Sequence, residues 1–399
     1  MTRLRSALLG NLFLTLGLLL GVMQVVVGHW VTVVLAGREG PGLVLGLALA
    51  ASLVAANAAV LPAMRRARRA GGWGGRVARA YMGAGVATLL LGMVIVLGWA
   101  GFLPVAGILA ALGVSGDAVF QVFRILTIPV VLALTFMIVW GFTAGQNRVE
   151  HTKVRIELED LHAAHRDLRI VQISDLHIGN GMEGDRLARM VERVNGLEPD
   201  LIALTGDLFD FDPRFVEEGA RGLAGLRARL GVYAVLGNHD TYTGTERVVE
   251  GLARHAPELR LLRGEVVRVP ELDPPFYVAG IDDPGRDWTG RGVELPELEA
   301  LGEGLPDDGP ALLLVHRPEL FAQASRLGFQ VVLAGHTHGG QLALPTPGGP
   351  FNLARLVFRY HRGLYHLNGA TLYVNRGLGV AGPAIRFNCP REIARIQLA

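Results

Sequence analysis

Cysteine is nearly absent from this chain of 399 residues: Cys389 stands alone. One thiol excludes an internal disulfide framework, fits a reducing compartment, and leaves any metal site to be built from other side chains. It reads as a packed thiol near the C-terminus. Acids are scarce in one half only, since residues 1–145 hold just Glu39 and Asp117, both outside the apolar runs. A transporter usually carries intramembrane acids or interrupted helices, so their lack here reads as an anchor rather than a conducting path. The net charge of +2 is small and no RNA- or DNA-binding signature accompanies the arginines, so nucleic acid is not an expected partner. No internal repeat is visible.

What the first half has is apolar length. Hydrophobic residues make up 50% of the chain, and the mean hydropathy of +0.35 is high for a wholly soluble protein. Four runs, near 7–26, 43–64, 81–103 and 119–142, each supply the roughly 20 residues that cross a hydrocarbon core of about 30 Å. A cleaved signal peptide accounts for the first run alone, not for the three that follow. Arg3 and Arg5 precede the first run, and Arg65, Arg66, Arg68, Arg69, Arg76 and Arg79 fill the second loop, whereas the other loops offer Arg38 beside Glu39, or Asp117. The positive-inside rule then puts both ends in the cytoplasm. Arg124 falls near the end of the fourth run, where snorkelling is the expected solution. Asn11, Gln24 and Asn57 can hydrogen-bond between helices, and Gly85, Gly92 and Gly98 can let helices pack closely. The expected organisation is a membrane domain over 1–145, a hydrophilic connector over 146–164 and an α/β domain over 165–399, placed in a bacterial inner or plasma membrane with the α/β domain facing the cytoplasm.

The second half has mixed charge and a repeating grammar. Residues 168–173 read as a strand ending at Asp175-Leu-His177. Residues 186–195 read as a helix, with Leu187, Met190, Val191 and Val194 at helical spacing. The apolar run 201–204 ends at Gly206-Asp207, the run 232–236 at Gly237-Asn238-His239-Asp240, the run 311–315 at His316, and the run 331–334 at Gly335-His336-Thr337-His338. Further strands are expected at 276–279, 372–375 and 393–398. Short buried strands alternating with helices indicate a layered α/β domain, and this pattern alone fits either two packed sheets or one parallel doubly wound sheet.

Carboxylate, imidazole and carbonyl oxygen suit catalytic divalent cations, and each strand end offers them. Residues two apart on a strand share a face, so Asp175 with His177, and His336 with His338, are expected to point the same way. Asp207, after a glycine turn, is the natural bridge between two ions. The lone histidines His151, His162, His165, His361 and His366 have no such context, and Asp210 and Asp212 read as loop acids for capping or solvation.

In this order and spacing the islands resemble the calcineurin-like metallophosphoesterase superfamily over about residues 165–398. The resemblance implies two packed sheets flanked by helices. It also implies one ion held by Asp175, His177, Asp207 and His338, and another by Asp207, Asn238, His316 and His336. The ions would be two divalent metals, manganese, iron or zinc. Paired metals about 3.5–4 Å apart can activate a bridging hydroxide for in-line attack on phosphorus. His239 resembles the general acid of the family, with Asp240 expected to orient its imidazole.

The longer strings 334–341, His316-Arg-Pro318 and 375–379 resemble a membrane-associated branch that includes cell-envelope phosphodiesterases and UDP-diacylglucosamine pyrophosphatases. A phosphorylated, lipid-linked or envelope substrate and contact with membrane lipid are the implied partners. Arg376 is a candidate for substrate phosphate, against a surface ion pair. The stretch 351–365 mixes Phe351, Leu353, Leu356, Val357, Phe358, Tyr360 and Tyr365 with Arg355, Arg359 and Arg362, so it reads as a packed loop or short helix, or as a contact with anionic lipid. The rival functions are a tethered phosphodiesterase for a soluble substrate and a catalytically silent, metal-stabilised membrane sensor or scaffold.

Overall fold

The computed structural model describes residues 2–40, 42–70, 72–159, 161–285, 294–347, 349–352 and 354–399. Residue Leu353 and the side chains of Arg3, Arg5, Asn11, Arg65, Arg66, Arg68, Arg69, Arg76 and Arg79 lie outside the described residues. The chain divides into two compact units, residues 1–140 and 141–399.

The first unit is built from α1 (Thr2–His29), α2 (Leu43–Ala70), α3 (Gly72–Ala111) and most of α4 (Gly116–Phe142). All four are long and apolar enough to cross a membrane. A six-residue π-helical turn, Trp30–Leu35, extends α1. Its wider winding bears on Arg124: the guanidinium Nε donates to the Val34 carbonyl at 2.7 Å, so this cation finds a backbone partner within the helices instead of relying on snorkelling. The polar residues join three helices, with Asn57 Nδ2 donating to Gln24 Oε1 at 2.8 Å and Tyr81 Oη donating to Asn57 Oδ1 at 2.6 Å. Gly92 admits Met23, whose Sδ would lie 2.6 Å from an added Cβ, whereas none of the described residues packs within 4 Å of such an atom at Gly98.

The first strand of the second unit is β1 (Val149–Ile156), inside the stretch read as a connector. There follow α5 (Ala163–Arg166), β2 (Ile170–Ile173), α6 (Asp185–Asn195), β3 (Leu201–Thr205), α7 (Val216–Leu223), β4 (Val232–Val235) and α8 (Asn238–His255). After them come β5 (Leu259–Leu261), β6 (Glu265–Arg268), β7 (Tyr277–Gly280), α9 (Pro296–Glu303), β8 (Ala311–Leu314), α10 (Phe321–Arg326) and β9 (Val331–Ala334). The chain ends with α11 (Ala354–Val357), β10 (Gly363–Leu367), β11 (Ala370–Val374) and β12 (Arg391–Leu398). These strands make two six-stranded sheets, ordered β1-β12-β2-β3-β4-β5 and β10-β11-β9-β8-β7-β6. Two packed mixed sheets, not one doubly wound sheet, are therefore the architecture.

Both faces of each sheet are buried, which explains why the central strands read as unbroken apolar runs. Ile170, Leu201 and Ala203 point between the sheets to meet Leu312, Leu314 and Leu333, while Val171, Ile202 and Leu204 pack on the helical side with Leu187, Val191 and Leu223. The outer face of the second sheet buries Leu313 and Val332 against Leu298, Leu301 and Phe321. Strands β2 to β5 run parallel, as do β7, β8, β9 and β11, so within each sheet the carboxyl ends of these strands gather along one edge.

Candidate metal centre

The site forms at the carboxyl ends of β2, β3 and β4 in one sheet and β8 and β9 in the other. Asp175, His177, Asp207, His336 and His338 all have φ between 48° and 72°. They are not strand residues, and the expected strand-face geometry is corrected: left-handed turns just beyond each strand redirect the side chains until they converge. Each such conformation costs of order 1–3 kcal/mol and persists only where the surroundings over-determine it. Main-chain bonds do so here, from Asp175 N to Gly206 O at 3.0 Å, His177 N to Asp207 O at 3.0 Å and Ile178 N to Leu208 O at 2.9 Å. Two glycines make room: a Cβ on Gly206 would lie 2.5 Å from His316 Nδ1, and one on Gly335 would lie 1.9 Å from Ser174 Oγ.

Ligand atoms of Asp175, His177, Asp207 and His338 lie within 4.8 Å of one another, and those of Asp207, His316 and His336 form a second such group. Asp207 belongs to both. Its Oδ1 accepts the His239 backbone N–H at 2.8 Å, while Oδ2 lies 3.5 Å from His177 Nε2 and 3.2 Å from His316 Nε2. His177 Nε2 meets His338 Nε2 at 2.9 Å, and His316 Nε2 meets His336 Nδ1 at 3.1 Å. Asn238 is buried at the start of α8, and its Oδ1 has no hydrogen-bond partner among the described residues. Facing imidazole nitrogens can share only one proton, and an orphaned buried amide oxygen is costly. Divalent cations satisfy both demands, so the residues present fit a pair of them.

Supporting contacts set the tautomers. His316 Nδ1 donates to Thr205 O at 2.8 Å and His177 Nδ1 to Asp210 Oδ1 at 3.1 Å, leaving each Nε2 lone pair toward the cluster. Burial opposes charge on Asp207, but His316, His239 and His177 outweigh it and hold the carboxyl well below its usual range. Burial likewise opposes charge on His316, yet Asp207 and Asp175 raise it to about 10. The buried carboxylates thus demand positive charge, which a proton or a cation can supply. His338 is driven well below its usual value by burial, then by His177 and Arg386.

His239 sits at the rim, its Nδ1 2.9 Å from Asp210 Oδ1. Asp210 therefore serves two imidazoles. Burial works against its charge, but His177 and His239 bring it down to about 2. Sequence reasoning missed this role because nothing local separates Asp210 from Asp212, which caps the turn at Pro213–Phe215 by accepting from Arg214 N at 3.2 Å. Asp240 does not orient the His239 ring as expected. Its carboxylate accepts from Gly237 N at 2.8 Å, Phe209 N at 2.9 Å and Leu208 N at 3.1 Å, because it stands in the first turn of α8 facing the loop after β3. Burial, then Asp207, raises it to about 7 against the pull of those donors. Outside the rim, Phe211 and Tyr242 are exposed and stack on each other at 5.5 Å, with the His239 ring 4.5 Å from Phe211.

Arg376 is engaged by Glu392 at 2.9 Å, Thr152 at 3.0 Å and Glu150 at 3.2 Å, so its donors tie the loop after β11 to β1 and β12. The guanidinium that reaches the centre is Arg386. Fully buried, it donates to the carbonyls of Arg376 and Gly379 at 2.8 Å each, and its Nη2 lies 3.4 Å from His338 Nδ1. It braces the loop in which Gly377 packs against Asp175. In the stretch after the final histidines, Phe358 and Tyr360 are buried, Phe358 edge-on to His336 at 5.5 Å, while Arg355, Leu356 and Arg359 are exposed.

A family model described as calcineurin-like phosphoesterase matches residues 168–340. A protein named "Uncharacterized metallophosphoesterase", from Aquifex aeolicus, is 34% identical over 253 residues, covering 63% of this chain and 91% of the relative. Another metallophosphoesterase, from Campylobacter jejuni, is 29% identical over 295 residues, or 73% of this chain and 74% of the relative. A "Transmembrane protein with metallophosphoesterase domain" from Danio rerio is 32% identical over 283 residues, and the match spans 68% of this chain and 62% of that protein.

Proposed function

The chain belongs to the calcineurin-like metallophosphoesterase family, and from that premise we propose that it hydrolyses a phosphodiester or pyrophosphate on a lipid-linked or cell-envelope precursor. The observation that carries the chemistry is Asp207, one buried carboxylate common to two groups of candidate ligands. Asp175, His177 and His338 would hold one divalent ion with it, and Asn238, His316 and His336 the other. Bound there, manganese, iron or zinc supplies Lewis acidity and lowers the pKa of a water. The chain does the rest. Asp210 stabilises the His239 imidazolium through Nδ1–H, leaving Nε2–H to deliver a proton to the departing oxygen. Asp207 Oδ1 and Asp240 fix the start of α8, and with it the position of that ring.

Four apolar helices support attachment to a membrane, and the arginine-rich ends and second loop support a bacterial inner membrane with both termini in the cytoplasm. Exposed Arg355, Leu356 and Arg359, on the stretch that packs Phe358 against His336, support a substrate presented by lipid.

The test uses full-length protein in detergent, loaded with manganese and given a chromogenic phosphodiester. Turnover is expected, and His239→Asn should lower kcat by about 10²–10⁴-fold while metal content stays unchanged. Asp207→Asn should reduce occupancy of both ion positions, read by elemental analysis. Bound metal without turnover in the unmodified protein would overturn the proposal in favour of a silent scaffold.

A further inference from the structure

Outside the metal centre, the second unit contains a cavity of about 210 Å³ whose polar wall is made of arginine alone plus one amide. Arg186, Arg189 and Arg193 recur on one face of α6, Arg391 faces them from the start of β12, and Asn147 closes one side. Among the described residues, no carboxylate lines the cavity. The two inner guanidiniums are fixed by neutral oxygens: Arg186 donates to Gly181 O at 3.2 Å and to Asn147 Oδ1, and Arg391 donates to the carbonyls of Gln146 and Leu378. Their charges are oriented but not cancelled. Burial, then the neighbouring Arg386 and Arg186, depresses Arg391 to about 9; burial, then Arg189, lowers Arg186, with Glu183 opposing. Arg189 and Arg193 are exposed and form no ion pair among the described residues.

Converging guanidinium forks without acids are complementary to phosphate oxygens. The rest of the lining is apolar, including Met182, Met190, Leu378 and Ile393. The volume is below the roughly 300 Å³ at which pockets begin to enclose a drug-sized ligand, so it suits a headgroup and its first carbons rather than a whole lipid. Asn147 also donates to Thr143 O at 2.9 Å, and in the sequence it follows closely on the last apolar run.

We propose that this arginine cavity is a binding site for a phosphate group, carried by the headgroup of an anionic lipid, separate from the metal centre. It stands whether or not the metal centre hydrolyses the substrate proposed above.

The probe is dihexanoylphosphatidylglycerol, titrated calorimetrically into full-length protein in a neutral detergent. Three proteins are compared: unmodified, Arg189→Gln/Arg193→Gln, and a charge-matched control, Arg227→Gln/Arg254→Gln, at two exposed arginines elsewhere. Any contribution from the metal centre is common to all three. The site predicts saturable binding in the unmodified and control proteins, weakened about tenfold or more in the first variant, or roughly 1.4 kcal/mol, with partial recovery in a fourth protein, Arg189→Lys/Arg193→Lys. Absence of saturable binding, or equal affinity in all three proteins, overturns it. Competition by inorganic phosphate identifies the source: displacement only at concentrations far above those of the probe supports the lipid headgroup, and displacement at equal concentration replaces it with soluble phosphate.

Discussion

Asp210 shows how little a residue's type says about its work. From the sequence it is one of two acids in a polar loop, yet it is the carboxylate that faces both the His177 and His239 imidazoles, and it is 4% exposed. Its folded pKa, about 2, is depressed from an ordinary 3.8. The sign of the linkage follows: the stabilisation is complete above the unfolded value and is lost as pH falls from about 4 through about 2. In metal-stripped protein, Asp210→Asn should therefore flatten the acid loss of stability across that window, by on the order of 2 kcal/mol, measured by thermal unfolding at stepped pH. An acid profile identical to that of the unmodified protein would show that Asp210 is not held by the two imidazoles. Asp240 was legible as important, being next to His239, but its partners are backbone donors on a loop some 30 positions away, which no local pattern encodes.

At the scale of elements, the strands that sequence reading found and those it missed divide by position in the sheet. β2, β3, β4, β7, β8, β9, β11 and β12 lie inside the two sheets; β1, β5, β6 and β10 are the four edges. Interior strands are buried on both faces and read as apolar runs, whereas β1 carries Glu150, Lys153 and Arg155 and β10 alternates between half-buried and exposed residues. The charges on β1, β5 and β6 discourage further pairing, and that protection erases their sequence signal. Where loops meet the site, close approach governs. Gly335→Ala would place a methyl 1.9 Å from Ser174 Oγ and 2.4 Å from Asp175 Oδ2, so it should cost about 1–3 kcal/mol and empty the ion position that Asp175 serves, read by unfolding and elemental analysis. Normal metal content would count against that packing. Among the apolar helices, Asn57→Leu removes the link between Gln24 and Tyr81 and should destabilise the unit by about 1 kcal/mol in detergent; an unchanged unfolding midpoint would mean the three-helix contact adds nothing.

For the whole molecule, the test joins membrane and chemistry. Replacing Arg355, Arg359 and Arg362 by glutamine should slow hydrolysis of a phosphoester presented in anionic vesicles several-fold while sparing a small soluble diester. Equal loss on both would mean the segment supports the site itself, as the contact of Phe358 with His336 allows. The amino-acid order alone determined the apolar helices and the interior strands, and it pointed to the candidate ligand set, because hydrophobic length, two-sided burial and glycine-flanked acids and histidines are local properties of the chain. Tertiary structure alone decided that the strands form two sheets, that left-handed turns aim the ligands, and that Asp210 and Arg386, not Asp240 and Arg376, stand behind the histidines. Those outcomes depend on which segments meet across a packed core, and pairings over such sequence separations leave no imprint on neighbouring residues.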